Sequence, residues 1–350
     1  MQVYRPDIFK EPKRDLNKLW LDKNENIDLN LLNFIKKKTK LTKEVLSSYP
    51  NLALTYKKIS NFYKIDKYSL LLSHGSDGVI QNIFQSLIKK NSMVILPKPT
   101  FAMYDVYSKA FEAKIFYLNY KINEKGKIFI DINELSRLLK KKPKLLCLPN
   151  PDSPTGTVLN NKTLKEILKK CYKIKCYVLI DEAYHLFYKH SQIKKIKLFP
   201  NLLVSKSFSK AFGLAGLRAG CLIANKKTIL FFKSFKQMYE LNHFTAEVMN
   251  NIFSREGIGV IKKSISELKK GKSFFVKNIR QLKLNYLQSE GNFIHVNLGP
   301  KKNKIINDLK KICYFRENDL LLPLEGYSRF SLTTKKNFEK ILKVIKRYSK

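Results

Sequence analysis

S-K-S-F-S-K-A-F-G-L-A-G-L-R-A-G, Ser205 to Gly220, follows the apolar run Leu202, Leu203, Val204 and decides how the rest of the chain is read. The run predicts a buried strand that delivers Lys210 into a polar loop flanked by Ser207, Ser209, Phe208 and Phe212. Lysine is seldom buried without a partner, so this placement asks for a chemical role. An amine held as an imine with a cofactor aldehyde supplies one. Ser207, Ser209 and Arg218 would then grip a phosphate on that cofactor through hydroxyls and a guanidinium fork. The plain alternative for the segment alone is a glycine-rich loop with solvated cations.

The strands around it set the frame. Apolar runs at 93–96, 114–118, 144–148, 176–180, 202–206 and 221–224 alternate mostly with helical spacings at 101–112, 132–141 and 163–171. Strands this apolar, joined by helices, predict an α/β fold with a mainly parallel sheet covered on both faces. Ligands of such sheets sit beyond the carboxyl ends of the strands. Three polar clusters fall at those ends: Asn150 to Gly156 (N-P-D-S-P-T-G), Asp181 to Tyr184 (D-E-A-Y) and Ser207 to Lys210. Earlier in the chain, S-H-G-S-D-G at Ser73 to Gly78 precedes Val79, Ile80, Ile83, Phe84 and Leu87, one helical face. Ser76 and Asp77 therefore sit at a helix N-terminus, which attracts anions but also caps ordinary helices.

Outside this region, an extended arm broken by Pro6 and Pro12 is expected over 1–30 and a helix over 29–46, ended at Ser48-Tyr49-Pro50. Long helices are expected at 226–239, 245–253 and 260–287. Strands at 293–297, 312–316 and 328–332 and a closing helix with Phe338, Ile341, Leu342 and Ile345 follow. The expected division is an arm (1–30), a large domain (31–245) and a smaller α+β domain (246–350), as 350 residues exceed what one core usually serves.

The chain carries 68 basic and 28 acidic residues, a formal charge of +40, which invites a nucleic-acid reading. The lysines instead come in twos and threes at helix ends (Lys36 to Lys38, Lys140 to Lys142, Lys169 and Lys170, Lys269 and Lys270), with no basic tail and no nucleic-acid-binding pattern. The expectation is no nucleic acid, and a surface that concentrates small anions. Five scattered cysteines and the absence of any leader-like or membrane-length apolar run fit a cytoplasmic protein, without membrane contact.

In D-E-A-Y, Asp181 ends a buried strand, where a carboxylate can keep a ring nitrogen protonated, and Tyr184 can reach a phenolic oxygen. With N-P-D-S-P-T-G before it and S-F-S-K after it, the chain resembles the fold-type I pyridoxal-phosphate enzymes, aminotransferase class I/II, and within them the histidinol-phosphate aminotransferase group. G-S-D-G (Gly75 to Gly78), P-T-F-x-x-Y (Pro99 to Tyr104), D-E-A-Y and Ser209 to Gly220 carry the resemblance, which spans nearly the whole chain.

The resemblance implies pyridoxal 5′-phosphate as cofactor, joined to Lys210, with Asp181 at the ring nitrogen, Tyr184 on the phenolic oxygen and Tyr104 stacked on the ring. It places Ser76, Asp77, Ser207, Ser209 and Arg218 around the phosphate. It implies a homodimer in which Tyr49 enters the neighbouring subunit's phosphate site. Asn24, Arg316 and Arg329 fall at substrate positions, the arginines suiting a phosphate or carboxylate. Three positions depart from the group's pattern: Ser153 replaces an asparagine that also bonds the phenolic oxygen, Gly78 replaces a glutamate, and Asp22-Lys23 alters the segment near the substrate. The expected activity is amino transfer between an amino acid such as glutamate and a small, phosphorylated keto compound. A pyridoxal-phosphate-dependent amino-acid phosphate decarboxylase is the alternative within enzymes, and a basic nucleic-acid-binding protein the alternative outside them.

Overall fold

The computed structural model describes residues 13–348 apart from 125, 237 and 320. Pro6 and Pro12 lie outside the described residues.

Eight strands form the central sheet, in the order Leu70–Ser73, Gly220–Ala224, Leu202–Ser207, Tyr177–Asp181, Leu145–Pro149, Met93–Lys98, Lys114–Ile122, Ile128–Ile130. The five from Leu202–Ser207 to Lys114–Ile122 run parallel, and the flanking pairs are antiparallel. Side chains alternate between two buried layers: Leu146, Leu148, Val178, Ile180 and Val204 face one, Leu145, Cys147, Leu179 and Leu203 the other. This explains why the strands read as unbroken apolar runs.

A four-stranded antiparallel sheet follows, ordered Tyr286–Leu287, Phe293–Asn297, Tyr327–Ser331, Arg316–Glu317. The closing helix Lys335–Arg347 buries Phe338, Ile341, Leu342 and Ile345, and Phe338 stacks on Phe275 of the long helix Arg255–Gln281 at 4.3 Å. Leu19–Trp20 pairs in parallel with Cys313–Tyr314, far along the chain.

Several elements differ from expectation. The helix expected over 29–46 is two, Leu29–Lys38 and Lys43–Ser47. Thr42 leaves helical geometry to cap the second, its Oγ1 accepting from Val45 N–H at 3.3 Å. The helix expected over 226–239 stops at Lys233, where Ser234 Oγ donates to the Phe231 carbonyl at 2.7 Å. The long helix starts at Arg255, earlier than expected, because Ser254 caps Gly257 N–H at 3.0 Å. It ends at Gln281, and Lys283 then takes a left-handed φ of 54°. The helix Ala53–Tyr63, the strand Leu70–Ser73 and the hairpin strand Ile128–Ile130 were not expected.

Candidate active site

The carboxyl ends of the parallel strands open into a cleft of about 860 Å³. Ser76, Asp77, Ser153, Asp181, Tyr184, Ser207, Ser209, Lys210 and Arg218 line it from the central sheet's side, Asn24 from the arm, and Arg316 and Arg329 from the second sheet.

At one end, three chain segments form a cradle. The helix Gly75–Leu87 begins with no side chain capping its free N–H groups. Gly75, at φ 72°, lets the Arg218 guanidinium lie against it, since a Cβ there would stand 3.2 Å from Arg218 Nη2. Gly220 lets its strand press on the same turn: a Cβ would fall 2.4 Å from Gly75 C and 2.7 Å from Ser76 N. Ser209 N–H donates to Ser207 Oγ at 3.2 Å, while the buried Ser209 hydroxyl has no partner among the described residues. Open amides at a positive helix end, a guanidinium and an unpaired buried hydroxyl together are what a phosphate needs. Asp77 lines the cleft, but its Oδ1 accepts from the Tyr107 hydroxyl at 3.1 Å.

In the middle, Asp181 accepts from the Tyr104 hydroxyl at 3.1 Å, Ser205 Oγ at 3.2 Å and Ala183 N–H at 3.1 Å. Burial still outweighs these donors and pushes its carboxyl up to about 6. A protonated ring nitrogen is the partner that would return it to the charged form. Tyr104, expected to stack on the ring, is fully buried behind Asp181 and does not line the cleft; its hydroxyl is bonded to the carboxylate. Phe101 and Ala102 line the wall at that point.

Lys210 Nζ donates to the Lys23 carbonyl at 2.8 Å. Burial, then Arg329 and Arg218, pull its amine down to about 8, against an ordinary lysine near 10.4. Tyr184 receives Asn24 Nδ2 at 2.9 Å and lies within hydrogen-bonding reach of Ser153.

At the far end, Arg316 and Arg329 are direct partners on neighbouring antiparallel strands. Like charges in that register repel. Arg329 Nη2 donates to the Asp22 carbonyl at 2.8 Å, its guanidinium lies over Phe293 at 5.4 Å, and its buried Nε has no partner among the described residues. Burial and Arg316 both hold the Arg329 guanidinium below its ordinary value.

Tyr49 is not in this cleft: it is 76% exposed and stacks on Tyr239 at 4.2 Å. Sequence reasoning missed the ion pair of Lys206 with Glu182, both buried. Glu182 also accepts from Ser191 Oγ at 2.6 Å and Gln192 N–H at 2.7 Å. Alternation does turn Lys206 away from Ser205 and Ser207, but that Glu182 lies on the same side follows from Asp181 standing opposite Ser205. Asp152 was missed as well. It is fully buried beneath the cleft wall, holds Thr155 through its N–H at 3.0 Å and Oγ1 at 2.6 Å, and is pushed up to about 7 by burial.

A family model for aminotransferase class I and II matches residues 17–345. The chain belongs to that family. The histidinol-phosphate aminotransferase of Clostridium novyi is 30% identical over 324 residues, 89% of this chain and 87% of the relative. One from Hydrogenovibrio crunogenus is 28% identical over 341 residues, 95% and 88% of the two chains. In fold, the histidinol-phosphate aminotransferase from Clostridium acetobutylicum superposes with a TM-score of 0.80 at 21% identity, covering 95% of this chain and 99% of that one. The enzyme from Sinorhizobium meliloti, solved in complex with pyridoxal 5′-phosphate, gives 0.79 at 15% identity, covering 94% and 91%.

This aminotransferase is a pyridoxal-phosphate-dependent enzyme, and the cleft fits the cofactor: a phosphate cradle with an orphaned hydroxyl, a buried carboxylate short of a cation, and a lysine of lowered basicity between them. When bound, the cofactor supplies an electron sink for a carbanion. Ser76, Ser207, Ser209 and Arg218 would hold its phosphate, Asp181 would keep a proton on its ring nitrogen, and Tyr184 would donate to its phenolic oxygen. Lys210 would be the joining amine and, once free, would take the proton lost from the substrate carbon, a role that its lowered basicity suits.

Proposed function

We propose that the chain is an aminotransferase of the histidinol-phosphate type, exchanging an amino group between an amino acid such as glutamate and a small phosphorylated ketone. The paired arginines carry this reading. Arg316 and Arg329 stand cross-strand in register at the end of the cleft beyond Lys210, and Arg329 keeps one buried N–H without a partner. Two guanidiniums held together at a repulsive cost favour a doubly charged group that both can fork. The relatives' names point to the same substrate class.

The test presents histidinol phosphate as amino donor to the cofactor-loaded enzyme with 2-oxoglutarate, and measures glutamate formed. Glutamate at a rate well above that with histidinol supports the reading. Release of carbon dioxide from an amino-acid phosphate without amino transfer would assign the site to decarboxylation.

The proposal extends to a homodimer. Tyr49, Leu46, Phe235 and Met238 are exposed apolar side chains, and Tyr49 lies outside its own chain's cleft. A partner copy would cover this patch, with Tyr49 completing the partner's phosphate cradle. The division into an arm, a large cofactor domain to about 245 and a smaller domain is part of the same reading, as is a cytoplasmic location, which the five free cysteines suit. No helix among the described residues is long and apolar enough to cross a membrane.

A further inference from the structure

Asn24 stands where three parts of the chain meet. Its Nδ2 donates to the Tyr184 hydroxyl at 2.9 Å. Its backbone N–H donates to Ser331 Oγ at 2.9 Å, and the Ser331 hydroxyl donates back to Asn24 Oδ1 at 3.2 Å. Asn292 Nδ2 donates to the Asn24 carbonyl at 2.9 Å. The residue is 2% exposed and has a φ of 56°, a left-handed geometry that asparagine tolerates.

These bonds settle which way the amide points. In the structure Ser331 Oγ accepts from the Asn24 backbone and donates to Oδ1, and Nδ2 faces Tyr184. The tyrosine oxygen is therefore an acceptor on that side. Its proton cannot turn towards Asn24 and is directed to Ser153 or into the cleft. The charged groups facing Tyr184 are Arg329, from the strand Tyr327–Ser331, and Asp181, from the strand Tyr177–Asp181. Neither accepts its proton in a hydrogen bond. Ser153 is the other side chain within hydrogen-bonding reach of Tyr184.

We infer that Asn24 is a positioning residue for the aminotransfer reaction: held by Ser331 and Asn292 of the second sheet's region, it fixes Tyr184 as a hydrogen-bond donor towards the cofactor's phenolic oxygen. This rests on the reading that the cleft holds pyridoxal 5′-phosphate. It reassigns Asn24 from the substrate contact expected from the sequence. It also adds a hydrogen-bonded link between Tyr184 and the second sheet, beside the ring contact of Tyr184 with Phe293.

The experiment follows the visible absorbance of the cofactor-loaded protein against pH, without substrate, in the wild type and in Asn24→Asp, Asn24→Gly and Ser331→Ala. Both replacements at 24 accept the left-handed backbone. In Asn24→Asp the carboxylate accepts the Tyr184 hydrogen bond, so the charged phenolic oxygen loses its donor and the titration midpoint rises by about one pH unit or more. Asn24→Gly and Ser331→Ala raise it by less, in the same direction. A purely structural Asn24 would lower the thermal midpoint of the cofactor-free variants and leave the titration in place. If the wild type titrates and the variants keep its midpoint, the inference is overturned; should one variant fail to fold, the other two decide. A wild type with no cofactor-dependent visible band overturns the cleft reading itself, and the inference with it.

Discussion

Replacing Asp181 by asparagine should stabilise the cofactor-free protein while removing most of its activity. The carboxyl is fully buried, and burial raises it from an ordinary 3.8 to about 6 in spite of three donors. A pKa raised on folding means that the folded chain holds the proton more tightly than the unfolded one. The penalty is absent below about pH 4, grows as pH rises to about 6 and is constant above that. Two units correspond to about 3 kcal/mol. An asparagine must place an N–H₂ against donors already aimed at it, which gives back about 1 kcal/mol. A net gain of about 2 kcal/mol remains at pH 8, a few degrees in thermal midpoint for a chain of this size. With the cofactor bound the sign reverses, because the carboxylate then has its cationic partner and the amide does not. Thermal midpoints at pH 4 and pH 8, with and without cofactor, read all four cases, and turnover should fall by orders of magnitude. Equal midpoints of apo wild type and variant at pH 8, or a gain of the same size at pH 4, would refute the picture of a buried carboxylate waiting for a ring nitrogen.

Arg316→Gln should lower kcat/KM for a phosphorylated substrate by roughly ten- to a hundredfold, the worth of one charge-assisted bond, and for its dephosphorylated counterpart by far less; equal losses would make Arg316 structural. Gly220→Ala places a Cβ 2.4 Å from Gly75 C. It should weaken cofactor binding by about tenfold or more through the displaced cradle, read by equilibrium titration of the apo protein. Lys206→Met leaves Glu182 buried with only Ser191 and Gln192 as donors. It should cost about 3 to 5 kcal/mol in urea unfolding, and adding Glu182→Gln should recover part of that.

The central sheet was legible because each of its inner strands is buried on both faces and so reads as an apolar run, and because the chemistry sits at the carboxyl ends where such a sheet puts it. Leu70–Ser73 hid because it precedes its helix as a lone four-residue run whose only partner, Gly220–Ala224, is far along the chain. Tyr104 was assigned by motif position; its direction depends on the packing of the helix Met103–Ala110 against the sheet, which no local pattern records. The pairing of Lys206 with Glu182 needed the register of two strands, set by Asp181 opposite Ser205. The surroundings of Asn24 left no local signal, because its partners, Tyr184, Asn292 and Ser331, lie 160 and more positions away.

The central claim is that Lys210 carries pyridoxal 5′-phosphate and yields it to an amino donor. Borohydride fixation of the loaded enzyme, followed by peptide mapping with and without prior L-glutamate, tests both halves at once. The label should fall on the Lys210 peptide and disappear after glutamate, which converts the cofactor to its free amine form. A label on Lys206 or another lysine, or one that survives glutamate, would contradict the account.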